Sequence, residues 1–351
     1  MDKFRNKLLK WHKGINRDLP WKKKPSPYKI WLSEVLLQQT RVNQAVPYYF
    51  KFIKAYPNIA KMANAPLDEI LKLWQGLGYY SRARNMHETA KHIVNNLNNV
   101  FPNTYFELLK LKGIGPYSAA AISSFAFNEA KAVLDGNVFR VFSRYFGLFD
   151  AIDTTAGKKV FQEIADINLD KKQPGKYNQA IMDFGALQCV PKNPNCTQCC
   201  FKRSCVAFKN DLIEKLPVKE KKLKRKIRYF NYLKINYKNF FYLEKRKAKD
   251  VWQDLYQYPL IESDKKSFSG KVEDYLAIGK LIDNNNFDII EVSKNYRQLL
   301  THQQINARFI ELIVYKPLHK KALFVKCKQS DLAKYAYPKI IDCFLKDKML
   351  N

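Results

Sequence analysis

Along residues 1–188 the apolar positions recur three and four apart. The pattern is clearest in PYKIWLSEVLLQQ (27–39), AVPYYFKFIKAY (45–56), PLDEILKLWQ (66–75) and SRARNMHETAKHIVNN (81–96), with Pro, Gly or Asn at the joints. That spacing predicts a succession of amphipathic helices. PGKYNQAIMDFGALQ (174–188) predicts one more and delivers the chain into a run of cysteines. After Val206 the period shortens to two: RYFNYLKINY, KNFFYLEKR and FIELIVY predict strands, with helical pieces at VEDYLAIGKLI and PKIIDCFLK. Between the two patterns lies KLPVKEKKLKRKIR (215–228), with eight basic residues and one acidic, which reads as a linker. The expected architecture is a mostly α N-terminal region followed by a small α+β domain, without internal repeats.

One stretch stands out, LLKLKGIGPYSAAAISSFAFNEAKAVLDGNVFR, from Leu108 to Arg140. Thr104 and Glu107 form a capping-box pair that starts a helix. Gly113 and Gly115 suit a tight turn through angles that side chains resist. Pro116 suits the first position of a second helix, and Ser118 to Ala121 are small enough for close packing. A glycine turn feeding a helix N-terminus presents N–H groups to a phosphate, although a bare GxG turn also suits an ordinary helical hairpin. Asp135, twenty residues after Gly115, adds an acid to the arrangement.

The formal net charge of +30 exceeds what solubility needs and points to a polyanion, either nucleic acid or an acidic membrane surface. The sequence has no run of eighteen apolar residues to span a membrane, and its N-terminus lacks the apolar core and cleavage site of a secretory signal. Seven cysteines, five of them between 189 and 205, do not read as a secreted disulfide framework, so a reducing cytoplasm is expected. Cys189, Cys196, Cys199 and Cys205 are spaced C-x6-C-x2-C-x5-C. Four thiolates so close must hold a metal or repel one another. By spacing alone, zinc and an iron–sulfur cluster are equally good readings. Cys200 abuts Cys199 and is left out of the set; Cys327 and Cys343 read as buried apolar residues. Lys192, Lys202 and Arg203 lie within the loop and could meet a DNA backbone.

LKGIGPYSAAA followed by LDGNVFRV resembles the helix-hairpin-helix DNA glycosylases, whose hairpin grips a DNA phosphate and whose following aspartate serves catalysis. WLSEVLLQQTRV (31–42) and WQGLGYYSRARN (74–85) are similar to the MutY-type adenine glycosylases, which remove adenine mispaired with 8-oxoguanine. The resemblance covers nearly all of residues 1–210 and, more loosely, the remainder. It implies a two-lobed helical glycosylase fold over 1–210, a [4Fe–4S] cluster with a structural role on Cys189, Cys196, Cys199 and Cys205 in the loop 189–205, a basic linker at 211–226, and a Nudix-like lesion-recognition domain over 227–351. The implied partner is double-stranded DNA carrying A:8-oxoguanine or A:G mispairs, and the implied state is a bacterial, cytoplasmic monomer that meets the nucleoid through DNA.

Cleaving an N-glycosidic bond needs a proton for the leaving base and negative charge beside the cationic sugar, and two carboxylates in different surroundings supply both. A Glu on a helix is commonly a solvated residue, and an Asp at a helix start is commonly a cap. The resemblance makes Glu34, on an apolar helix that should raise its pKa, the general acid and Asp135 the group that holds the cation. Asn137 is expected to position water or Asp135. In the lyase-active relatives a lysine follows GxGx; here the residue is Tyr117, which cannot form a Schiff base, so the resemblance implies hydrolysis without strand cleavage and a tyrosine placed against the sugar. Gln39, Thr40, Leu77 and Tyr79 match the positions that read or wedge the opposite 8-oxoguanine, while Gly113 and Gly115 match the phosphate hairpin. Lys22, after LPW, stands where some relatives have arginine. KDVWQDLYQYPLIE (249–262) best matches the appended module, which lacks the magnesium-binding hydrolase signature and so reads as a recognition module. The family's Phe-Ser-His loop becomes Leu300-Thr301-His302, keeping a hydroxyl and the histidine but losing the aromatic ring. Two other readings remain: an endonuclease III-like glycosylase/lyase, and a DNA-structure binder without catalysis.

Overall fold

The structure, a computed structural model, describes residues 2–15, 17–220, 224–263, 268, 270–282, 286–318 and 324–350. Lys221 to Leu223 of the expected linker lie outside the described residues. The chain divides into two units, Met1–Asn64 with Asn85–Lys221, and Ala65–Arg84 with Lys222–Asn351.

The first unit is helical, as the 3.6-residue period predicts. Its elements are α1 (Asp2–Lys13), α2 (Pro27–Leu37), α3 (Val42–Ala55), α4 (Ile59–Asn64), most of α6 (Ser81–Asn96), α7 (Tyr105–Leu108), α8 (Pro116–Phe127), α9 (Gly136–Phe146), α10 (Thr155–Asn168), α11 (Pro174–Leu187) and α12 (Val206–Lys209); α5 (Leu67–Trp74) belongs to the second unit. Ser26 caps α2 through Lys29 N–H and Pro27 opens it, the arrangement its sequence favours. Thr104 accepts from Glu107 N–H to start the short α7. Gly113 then turns the chain at φ 78°, and α8 begins at Pro116. Gly115 departs from the expectation: its φ of −96° and ψ of −179° are extended backbone open to any residue. A side chain on Gly115 would point into open space, so the backbone does not require glycine there.

Small residues on α8 let its neighbours come close. A Cβ on Gly175 would lie 2.7 Å from the Ser124 carbonyl, which places the start of α11 directly on α8. Beside it the buried Asn178 amide donates to Ser124 Oγ (2.9 Å) and the Lys131 carbonyl (2.8 Å), and accepts from Val133 N–H (3.2 Å). Those bonds fix the irregular stretch that carries the chain from α8 to Asp135. The core between α8, α9, α10 and α11 is built on Phe142, Phe161, Tyr177, Phe184 and Phe201. The tail of this unit is not a free tether: Leu216 is buried, and Val218 and Glu220 bond to Ile152 and Asp153.

The second unit is a mixed sheet with helices, matching the expected α+β class. Strands β1 (Lys226–Tyr237) and β7 (Gln303–Val314) run parallel at its centre, with β2 (Phe240–Lys245) and β3 (Tyr256–Gln257) on one side and β5 (Phe287–Val292) on the other. β4 (Leu260–Ser263) pairs with β1, β6 (Tyr296–Leu299) with β7, and β8 (Phe324–Cys327) with β2. Four successive residues of β1 are buried, Phe230 to Leu233, so its interior breaks the two-residue alternation. A central strand in parallel pairing is covered on both faces, which explains why. α13 (Val272–Ile282) covers one face, and α14 (Lys339–Leu350) stacks Phe344 on Phe309 at 4.0 Å. Residues 65–84 are tied into this unit by Lys245 and Tyr256 on Asp68 (2.5 and 3.1 Å) and by Arg84 on the Gln253 carbonyl (2.7 Å).

Candidate active site

Eight of the eleven residues of α2 are apolar or aromatic, and the helix is buried nearly all round. That burial carries Glu34 inward until it is 5% exposed. Desolvation pushes its pKa up to about 7; the nearby Asp135 charge pushes the same way, and a hydrogen bond from Tyr117 opposes both. Its Oε2 is buried without a hydrogen-bond partner among the described residues. A carboxyl group that keeps its proton near neutral pH, with an uncommitted oxygen, is suited to proton donation.

Asp135 is both a cap and a candidate for chemistry. As N-cap of α9 it accepts from Asn137 N–H (2.9 Å) and Val138 N–H (2.8 Å) through Oδ1, while Asn137 Nδ2 donates to Oδ2 at 2.8 Å. Burial raises its pKa above the ordinary aspartate value, and these bonds together with Arg140 oppose that rise without cancelling it. The positive end of α9 favours the carboxylate. Tyr117 completes the group. Burial, with the neighbouring Glu34 and Asp135, holds its pKa well above the usual tyrosine value, and its hydroxyl oxygen also lies 3.4 Å from Met182 Sδ. Glu34, Tyr117, Asp135 and Asn137, chosen from sequence, are thus brought together within the first unit.

Other residues hold them there. Arg140 Nη2 donates to Asn137 Oδ1 (2.8 Å) and the Gly185 carbonyl (2.6 Å), while its Nε donates to the Cys189 carbonyl (2.7 Å). Arg144, one turn on, donates to the carbonyls of Val190 (2.8 Å), Pro191 (2.9 Å) and Leu216 (3.1 Å). Gln38, at the end of the Glu34 helix, donates to Ser118 Oγ (3.0 Å) and the Gly113 carbonyl (3.4 Å), joining α2 to the hairpin. Sequence reasoning missed these three. The signal for the arginines was their i, i+4 spacing on α9, three and seven residues after Asn137.

The four selected cysteines line one cavity of about 30 Å³, walled by Phe184, Phe201 and Phe208, with Arg144 and Lys202 at its margin. Phe201 N–H donates to Cys199 Sγ at 3.4 Å and Arg144 Nη1 to Cys189 Sγ at 3.6 Å. Among the described residues the side chains do not close into a finished metal-binding group. Four thiols on one apolar cavity with N–H donors aimed at sulfur are nonetheless the donor set that a cluster of iron and sulfide takes. Cys200 is not among the lining residues.

Gly113 and Gly115 are exposed at the hairpin, and Gln39, also exposed, has a left-handed backbone (φ 55°) just beyond α2. Thr40 Oγ1 donates to the Gln38 carbonyl at 3.4 Å. In the second unit Leu77 is buried, whereas Tyr79 is 46% exposed with φ 48°. The hydroxyls of Tyr79 and Thr301 are hydrogen-bonded to each other. His302 is exposed in the turn between β6 and β7, where its carbonyl accepts from Lys226 N–H.

Residues 32–166 match the family of helix-hairpin-helix superfamily base excision DNA repair proteins. An adenine DNA glycosylase of Buchnera aphidicola subsp. Baizongia pistaciae is 41% identical over 259 residues, covering 73% of each chain. The adenine DNA glycosylase of Homo sapiens is 38% identical over 213 residues, 58% of this chain and 39% of that one. Among solved structures, a thermostable thymine-DNA glycosylase is 28% identical with a TM-score of 0.56, covering 60% of this chain and 96% of that one. An endonuclease III–DNA complex, 20% identical at a TM-score of 0.53 with the same coverage, shares the fold. With its hairpin, its buried acid and its capped aspartate in the matched region, the chain belongs to the adenine DNA glycosylases of the helix-hairpin-helix superfamily.

Proposed function

We propose that this glycosylase removes adenine opposite 8-oxoguanine or guanine by hydrolysis, with Glu34 as proton donor and Asp135 as the charge that offsets the developing sugar cation. The observation that carries the reading is Glu34, buried, with its pKa near 7 and one oxygen uncommitted, beside Asp135 and Tyr117. Protonation of the ring turns adenine into a competent leaving group. As the bond to the base breaks, positive charge spreads over the sugar, and the Asp135 carboxylate offsets it. Asn137 keeps that carboxylate turned toward the site. The base departs neutral, and water then adds to the sugar carbon and gives up its extra proton to the Glu34 carboxylate, which restores the acid. Tyr117 has no amine, so the sugar is not trapped as an imine and the strand is not cut.

Cys189, Cys196, Cys199 and Cys205 would hold a [4Fe–4S] cluster. Such a group would brace the loop that presents Lys192, Lys202 and Arg203 to the DNA backbone. The catalytic role is assigned to residues 1–210 and lesion recognition to a Nudix-like domain at 227–351, joined by a linker at 211–226. The hairpin at Gly113 and Gly115 would grip a phosphate, and Gln39, Thr40, Leu77, Tyr79, Thr301 and His302 would read the opposite base after the adenine has left the stack. The +30 charge fits an enzyme acting on DNA, and the state assigned to it is a monomer in a bacterial cytoplasm.

The test is single-turnover adenine release from duplexes with A opposite 8-oxoguanine, guanine or cytosine, with borohydride trapping in parallel. Release fastest opposite 8-oxoguanine, without a trapped adduct, is expected. Equal rates on all three duplexes would sink the lesion reading, and efficient trapping would sink the hydrolytic one.

A further inference from the structure

The turn that exposes Tyr79 is built from conformations that resist side chains. Gly76, Gly78 and Tyr79 have φ of 102°, 73° and 48°. Glycine takes such angles freely, but a tyrosine there is held by its surroundings. Four hydrogen bonds converge on this turn. Trp74 Nε1 donates to the Gly78 carbonyl at 2.9 Å. Arg82 Nη2 donates to the same carbonyl at 3.3 Å and to the Leu77 carbonyl at 3.5 Å. Arg82 N–H closes the turn onto the Tyr79 carbonyl at 2.9 Å.

The Arg82 side chain does more than bond to backbone. Its guanidinium lies 4.9 Å from the centroid of the buried Trp74 ring and 5.7 Å from that of the Tyr79 ring. Arg82 itself is 8% exposed. One buried cation therefore touches a ring that never meets solvent and a ring offered to solvent, and grips the two carbonyls between them. At its far end the Tyr79 hydroxyl meets Thr301. We propose that Arg82 is a positioning residue that sets the Tyr79 ring against the base opposite the adenine, and through it opposite-base discrimination. The inference rests on the reading of Tyr79 as a lesion-facing residue. Only arginine suits the place: a planar cation can lie over two rings while its N–H fork reaches two carbonyls, and a lysine offers a single point of charge.

The experiment measures the ratio of single-turnover adenine release opposite 8-oxoguanine to release opposite cytosine. It compares wild type, Tyr79→Ala, Arg82→Lys, Arg82→Gln and the Tyr79→Ala/Arg82→Lys pair, with melting temperature as the check on folding. Arg82→Lys and Arg82→Gln should each lower the ratio by about tenfold, the worth of one partly desolvated cation–π contact. In the double variant the ratio should fall no further than with Tyr79→Ala alone, because both changes act through one ring. If only one Arg82 variant folds, that variant decides. A ratio that falls with Tyr79→Ala but holds in every folded Arg82 variant overturns the role of Arg82. A ratio unmoved by Tyr79→Ala overturns the lesion-facing reading, and the inference with it. Multiplying losses in the double variant would show that Arg82 acts elsewhere, which also overturns the inference.

Discussion

Gly185 of α11 lies so close to Asn137 of α9 that a Cβ on the glycine would sit 2.6 Å from the Asn137 Cβ. Asn137 in turn holds Asp135 Oδ2 at 2.8 Å. Packing between two helices therefore sets the orientation of the carboxylate. Gly185→Ala should push Asn137 away, lower adenine release by about tenfold or more, and cost about 1–3 kcal/mol of stability, as overpacking does. Single-turnover kinetics with thermal melting checks both; an unchanged rate in a destabilised variant would separate the packing from the chemistry.

The two hairpin glycines should behave differently. Gly113 has φ 78°, and a Cβ added there would lie 2.7 Å from that of Asn85, so Gly113→Ala should lower the melting temperature. Gly115 has ordinary backbone angles and open space around it, so Gly115→Ala should fold normally and instead weaken DNA binding. Melting curves and a duplex titration distinguish the two. Equal stability losses would contradict the absence of a backbone demand at Gly115, and unweakened binding by Gly115→Ala would contradict its role at the DNA.

Arg140 links Asn137 to the carbonyl of Cys189, and so the aspartate to the cysteine loop, 2.8 and 2.7 Å away at its two ends. Arg140→Lys keeps the charge but loses the fork that spans them. Adenine release should fall by about tenfold or more, the scale of a lost charge-assisted hydrogen bond. Iron retained per chain, measured on the same preparation, should fall with it. A normal rate with normal iron would show the link to be dispensable.

Glu34 makes a stability prediction whose sign follows from its raised pKa. Between the ordinary value of 4.5 and about 7, the folded protein keeps a proton that the unfolded chain has released. Raising the pH through that window therefore removes stability, to a total of about 3 kcal/mol above it. Glu34→Gln avoids that cost. The variant should melt with the wild type at pH 4 and several degrees above it at pH 8. Identical melting at both pH values would place Glu34 in a more solvated setting than its burial implies.

Much of this was legible in the sequence because it is local. The helical period, the capped hairpin, the Asp135 cap and the cysteine spacing each depend on residues close in the chain. Gln38, Arg140, Arg144 and Met182 escaped because their roles depend on which helix faces meet, and periodicity gives faces without pairing them. Gly185 carried no signal of its own; the need for glycine comes from Asn137, 48 residues away. Gly115 was misjudged for a related reason, since a GxG pattern does not say which glycine turns the chain. The strand pattern of β1 blurred where parallel pairing buried both faces. Arg82 lay in a quoted motif, yet its two ring contacts required the turn to be seen folded.

The most direct measurement is single-turnover adenine release from A:8-oxoguanine duplex by wild type and Glu34→Gln from pH 5 to pH 9, with binding to the same duplex measured alongside. Glutamine keeps the shape of the side chain but has no proton to give. Wild-type release should fall as pH rises past about 7, where Glu34 ionises. At pH 6 Glu34→Gln should release adenine about a hundredfold more slowly or worse, the usual worth of a general acid, while binding the duplex as the wild type does. Near-normal release by the variant, or a loss accounted for entirely by weaker binding, would contradict the assignment of Glu34 as proton donor.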